Sequence, residues 1–152
     1  MKYYPSPSLI VILFSTLGVI IMVILWYKVN WNKWYLAIIP IIVSVIFLYF
    51  ALQLPYAIKI TEEEIEIIQI FHSKKFDKKQ IHIRRATRKD MQNCIRIFGS
   101  GGFFGYTGWF NSPALGKFKM LSVNMKELAI LETHNNSERY VINYPLELLT
   151  EC

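Results

Sequence analysis

YLAIIPIIVSVIFLYFALQLPYAIKIT, residues 35–61, contains the decisive change of pattern. Through Leu54 it is apolar on every face, and it is close to the ~20 residues that a helix needs to cross about 30 Å of hydrocarbon. Pro55 then stops the helix, and from Tyr56 apolar and polar residues alternate with the period of a strand. Upstream lies a second apolar run, LIVILFSTLGVIIMVILW, residues 9–26. Stretches 3–27 and 34–58 each run 25 residues without Lys, Arg, Asp, Glu or His. Two transmembrane helices are expected, spanning about 9–27 and 35–54, with a soluble β domain over 55–152.

The distribution of charge repeats this division. An ordinary soluble domain carries about 25% charged residues, whereas this chain has 18%. All 11 acidic residues lie at or beyond Glu62, and of 17 basic ones only Lys2, Lys28 and Lys33 precede Lys59. The first apolar run is too long for the core of a secretory signal and ends in Trp-Tyr-Lys rather than at small residues, so an uncleaved helix is expected. Cys94 and Cys152 fit neither a metal spacing nor a disulfide framework.

So short a link as YKVNWNKW, residues 27–34, forces an antiparallel helical hairpin with both ends of the chain on one side. Trp26, Tyr27, Trp31, Trp34 and Tyr35 crowd this turn as interfacial aromatics, and Tyr3, Tyr4 and Tyr56 mark the opposite boundary. Lys28 and Lys33 at the turn stand against Lys2, the α-amino group, Lys59 and Lys74 on the other side. The balance tips slightly towards cytoplasmic termini. Without a charge in either span, an ion path through them has no support.

Beyond Pro55, nine short alternating segments separated by turn signals read as a small antiparallel barrel or sandwich. They begin with YAIKIT and EIEIIQI and end with ELAILET and RYVIN. PLELL, residues 145–149, has a helical look.

Residues 74–89, KKFDKKQIHIRRATRK, hold eight basic side chains: Lys74, Lys75, Lys78, Lys79, Arg84, Arg85, Arg88 and Lys89. They are candidates for binding anionic lipid or a partner, at about 1 kcal/mol for each one near an anionic leaflet. The alternative is a solvated edge that discourages strand-to-strand aggregation. Residues 99–110, GSGGFFGYTGWF, form a curved core strand by alternation; a second reading is an aromatic tip dipping into the membrane interface. No phosphate-loop pattern is present, and Phe98 occupies the place of the first glycine in a nucleophile elbow around Ser100. His72, His82 and His134 lack ligand spacing, and Asp77 and Asp90 read as neutralising partners of nearby bases. Asn135 opens a glycosylation sequon that matters only on a lumenal side. Neither catalytic residues, a metal nor a cofactor is expected.

YAIKITEEEIEI (56–67), RIFGSGGFFGYTGWF (96–110), LGKF (115–118) and LAILET (128–133) together resemble a bacterial pleckstrin-homology (PH)-like domain of the membrane-anchored kind. The resemblance implies a partly open seven-stranded barrel capped by a C-terminal helix, here a short one. It also implies binding or assembly rather than chemistry, although fold alone does not decide function. The expected protein is multi-pass in a bacterial inner membrane with both termini cytoplasmic, a non-enzymatic PH-like binding or assembly module. Its expected partners are the lipid bilayer and another protein, with a second copy of the chain left open and no nucleic acid or small-molecule substrate. The alternative is a small accessory subunit of a larger transporter or enzyme, working through its helices.

Overall fold

Helix α1, Leu9–Tyr27, starts where the Ser8 hydroxyl accepts a hydrogen bond from the Val11 N–H at 3.3 Å, and it ends at Lys28. The computed structural model describes residues 1–29, 33–134 and 138–149. Trp31, the Asn135 sequon and Cys152 lie outside the described residues. A 3-10 turn, Trp34–Ala37, leads into α2, Ile38–Leu52. Pro40 is the third residue of α2, where its missing N–H would have had no helical partner. Ser15 and Thr16 return their hydroxyls to the carbonyls of Val11 and Ile12, at 2.7 and 2.8 Å, so neither is left unsatisfied on an apolar helix. The Trp26 indole N–H donates to the Ser44 hydroxyl at 3.1 Å and ties the two helices near the turn. Helix α1 and the continuous helical stretch Tyr35–Leu52, which joins the 3-10 turn to α2, are each long and apolar enough to cross a membrane, and only 11% of each apolar window is buried.

Ten strands follow the sequence pattern closely, with one addition. Lys2–Tyr3 forms β1, which pairs with β2, Pro55–Ile60. Strands β3, Glu64–Gln69, and β4, Ser73–Asp77, complete a four-stranded antiparallel sheet in the order β1-β2-β3-β4. The Asp77 carboxylate accepts from the Lys79 N–H at 2.9 Å and caps a 3-10 turn that carries the chain into a second sheet. That sheet comprises β5, Ile81–Arg85; β6, Ile95–Gly101; β7, Tyr106–Ser112; β8, Gly116–Ser122; β9, Leu128–Thr133; and β10, Arg139–Asn143. Its order is β5-β9-β10-β8-β7-β6, antiparallel except where β10 runs parallel to β8.

Two expectations need correction. The β domain is a pair of open sheets rather than a barrel, because β4 and β5 are neighbours in sequence but terminal strands of different sheets. The cap is a 3-10 turn, Leu146–Leu149, rather than a helix. Leu148 N–H donates to the Pro145 carbonyl three residues back, which closes the tighter turn.

The main core fills the space between the sheets: Ile58, Ile60, Ile65, Ile67 and Phe76 meet Ile81, Leu121, Leu131, Tyr140 and Ile142, with Tyr3 packed alongside. A second cluster, Phe110, Leu115, Phe118, Met120, Leu128, Ile130 and Val141, lies on the other face of the six-stranded sheet. Ala86, Met91 and Cys94 pack against it. The central strands are thus covered on both faces, which explains why β9 and β10 read as nearly unbroken apolar runs.

Candidate functional site

The eight basic residues do not form one patch. Lys74, on the outer strand β4, reaches back to the Tyr140 hydroxyl and sits 4.1 Å from that ring's centroid. Burial pushes its ammonium down from the usual lysine range, partly offset by Glu138 at 4.0 Å. Lys75 pairs with Glu64 at 3.5 Å. Arg84 makes a two-pronged contact with Asp90, at 2.9 and 3.0 Å. The Arg84 bonds, with further ones from the Thr87 hydroxyl and N–H, hold the Asp90 carboxyl well below the usual carboxylate range despite its burial. Asp90 is the neutralising partner expected of it, and the pair fixes the segment that covers the second apolar cluster.

The remaining five divide between two places. Lys78 donates its N–H to the Glu63 carbonyl at 2.8 Å, beside the β2–β3 turn. That turn is the opposite end of the hairpin from Pro55, roughly 20 Å away at about 3.3 Å per residue. Lys78 and Lys79 therefore stand at the end of the sheet remote from α2. Arg85 and Arg88 line a cleft of ≈ 910 Å³ with Met91, Met125 and Lys126, next to exposed Lys89. Asn124, two residues from Lys126, donates to the Ser6 carbonyl at 2.7 Å, so this cleft adjoins the segment entering α1.

Between β5 and the C-terminal turn runs an apolar groove of ≈ 740 Å³, lined by Ile60, Ile81, Ile83, Tyr144, Leu148 and Leu149 and edged by Lys78 and His82. Among the described residues no further strand extends the sheet beyond β5.

The glycine-aromatic segment departs from its expected place. Strand β7 begins only at Tyr106, and Phe103 and Phe104 leave the sheet to pack on the helices. Phe103 lies 6.1 Å from Phe14 and 5.8 Å from Phe47, ring to ring, and Phe104 lies 4.8 Å from Phe47. Phe104 N–H donates to the Ser15 hydroxyl at 2.8 Å. Gly18 provides the seat, since a Cβ there would lie 2.5 Å from the Phe47 ring and 2.9 Å from the Phe103 ring. Gly99 and Gly108 face each other across β6 and β7 with φ of 133° and 122°, and a Cβ on Gly99 would fall 2.1 Å from the Thr107 carbonyl oxygen. The close backbone contact expected of these glycines is present; the continuous core strand is not.

Sequence reasoning missed the helix side of this joint. Its signal was Ser15 and Gly18, three apart and therefore on one face of α1, a small polar notch in an otherwise bulky run. Also missed were the anchors of the N-terminal segment: the Met1 ammonium to the Ile60 carbonyl at 2.6 Å and the Tyr3 hydroxyl to Glu127 at 2.5 Å. Burial, then the Glu127 bond, pushes the Tyr3 phenol up from its usual range. Of the turn aromatics, Trp26 and Tyr27 end α1, while Trp34 and Tyr35 open the 3-10 turn before α2.

A family model described as a bacterial PH domain matches residues 56–143, more than half of the chain, and the protein belongs to that family. Comparison with curated proteins and with solved structures gave no match.

Proposed function

We propose that the chain is a membrane-tethered, non-enzymatic binding or assembly module. In this proposal both helices cross the membrane, the termini are cytoplasmic, and the β domain presents a docking edge to a protein partner. The carrying observation is the apolar groove beside terminal strand β5, which lies next to basic Lys78 and Lys79 at the end of the four-stranded sheet remote from α2. A terminal strand offers backbone donors and acceptors to an added segment, and alternating side chains of that segment can enter the groove. The basic rim suits an acidic, partly apolar peptide.

A photo-reactive residue at His82, compared with one at outward-facing Ile39, tests this in the full chain in its native membrane. A discrete protein adduct from position 82, lost when Lys78 and Lys79 become Glu, supports the proposal. Adducts from position 39 alone would instead make the helices the working part, as in an accessory subunit. For orientation, an impermeant thiol reagent outside intact cells is expected to label Lys33→Cys and spare Lys79→Cys, with both native cysteines replaced. The reverse pattern contradicts the cytoplasmic placement.

A second reading, an anionic headgroup held by Arg85, Arg88 and Lys126, is favoured by the position of their cleft beside residues 6–8. It predicts that Arg85→Glu with Arg88→Glu reduces binding of the full chain to anionic lipid without affecting the adduct at position 82.

A further inference from the structure

We propose that the β domain is partly embedded in lipid: the β6–β7 tip, residues 102–105, lies below the headgroups against the helices, and exposed apolar residues beside it face acyl chains. This rests on the proposal that α1 and α2 span the bilayer.

Depth follows from helix length. Helix α1 has 19 residues, about 28 Å at 1.5 Å each, against a hydrocarbon thickness of about 30 Å. Such a match leaves no slack, so the membrane boundary on the domain side falls near Leu9. Ser15 and Gly18 lie six and nine residues further along α1, roughly 9 and 13 Å inside that boundary. Phe47, the other half of the seat, is five residues from the end of α2 at Leu52, roughly 7 Å inside. Counted from the domain-side end of each helix, both place the Phe103–Phe104 contact within the hydrocarbon.

Irregular backbone survives at that depth only if its polar groups are satisfied by protein. Four of the tip's backbone polar groups have such partners. Phe104 N–H is taken by Ser15, Gly102 N–H donates to the Gly105 carbonyl at 3.0 Å, and the Ser100 hydroxyl donates to the Phe103 carbonyl. Phe104 also holds φ at 58°, a left-handed conformation uncommon for an aromatic residue, which the Ser15 bond and the Phe47 contact maintain. From Ile97 to Gly116 the chain has no Lys, Arg, Asp, Glu or His.

Beside the tip, where the Arg96 side chain reaches Gly101, two large apolar side chains of β6 are uncovered. Ile97 and Phe98 are 56% and 62% exposed on β6, a terminal strand that in water would invite edge-to-edge association. At the β3–β4 turn Ile70 and Phe71 are 56% and 76% exposed. That turn is held at the end of α2, where Gln69 pairs with Pro55 and its side-chain amide donates to the Gln53 carbonyl. One apolar projection is thus held at the end of α2, and the other lies on the strand that leads into the tip seated on the helices. Their nearness to the helices' exposed apolar residues identifies lipid as the occupant.

The test uses the full chain in lipid vesicles, with both native cysteines replaced and one environment-sensitive fluorophore at position 98, 71, 46 or 79. Quenching is read with lipids spin-labelled at shallow and deep acyl positions and with aqueous iodide. Labels at 98 and 71 are expected to respond to the shallow lipid, at 46 to the deep lipid, and at 79 to iodide alone. Response to iodide alone at 98 and 71, with 46 still quenched by the deep lipid, overturns embedding and leaves the spanning helices intact. Iodide quenching at 46 overturns the spanning helices and embedding together. A second pair of variants, Phe103→Asp and Phe103→Leu, separates depth from fold. Phe103→Asp is expected to move the label at 98 from lipid towards iodide quenching while Phe103→Leu does not; an unchanged pattern in both contradicts a lipid-embedded tip.

Discussion

Residues 74–89 and 99–105 reverse their apparent importance between sequence and structure. The basic segment is the strongest electrostatic feature of the chain, yet Lys74, Lys75 and Arg84 are engaged by Tyr140, Glu64 and Asp90. Lys78 and Lys79 stand far from the helices, and only Arg85 and Arg88 share a cleft beside the segment that enters α1. The glycine-aromatic segment carries no charge and matches no ligand motif, but it makes the joint between domain and helices. Charge density along a chain states how much charge is present; pairing across strands decides how much remains available.

The comparison is broken most severely at Gly99. Gly99→Val would drive a side chain into the backbone of β7 at a position whose φ already excludes most residues. A loss of about 3 kcal/mol or more is expected, measured by thermal unfolding in detergent. A variant with unchanged stability would show that the β6–β7 pairing is looser than described.

Asp90→Asn comes next, at about 2 kcal/mol, the scale of hydrogen bonds to a charged partner. Because the folded carboxyl titrates below its unfolded value, the pair contributes fully above the ordinary carboxylate pKa of about 4. That contribution fades as pH falls below 4 towards the lower folded value. The stability difference between wild type and Asp90→Asn should therefore be flat near neutrality and shrink in acid; a constant difference down to pH 2 would contradict the pairing.

How much of this was readable beforehand depends on the range of each contact. The helices and nine of the strands were legible because their signals are local: apolar runs without charge, and alternation bounded by turns. Strand β1 was not, since Lys2 and Tyr3 become a strand only by pairing with Lys59 and Ile58. Nor was the opening of the sheets, which depends on β10 joining β8 in parallel and on β4 and β5 ending in different sheets. The Phe104–Ser15 bond links residues 89 apart, and no periodicity announces it. Asp90 was legible as a neutralising partner because Arg84 is only six residues away.

Ser15→Ala sharpens the comparison from the side of the joint. It leaves the Phe104 N–H without its acceptor, at an expected cost of about 1–2 kcal/mol, read as a lower unfolding temperature that Ser15→Thr restores in part. The smallest effect belongs to the basic segment: Lys78→Glu with Lys79→Glu should change stability by no more than about 0.5 kcal/mol. Enrichment of anionic lipid around the full chain reconstituted in mixed vesicles should also be nearly unchanged, because roughly 20 Å of strand separates these residues from α2 and the Debye length is about 8 Å.

Hydrogen exchange of the 99–105 backbone in the full chain, reconstituted in lipid, tests the joint most directly. If the tip is locked on Ser15, Gly18 and Phe47, its amides will exchange as slowly as those of buried strand β9, and Ser15→Ala will accelerate them. Exchange as fast as that of the exposed turn at residues 61–63, unaffected by Ser15→Ala, would contradict the joint and leave the domain merely tethered.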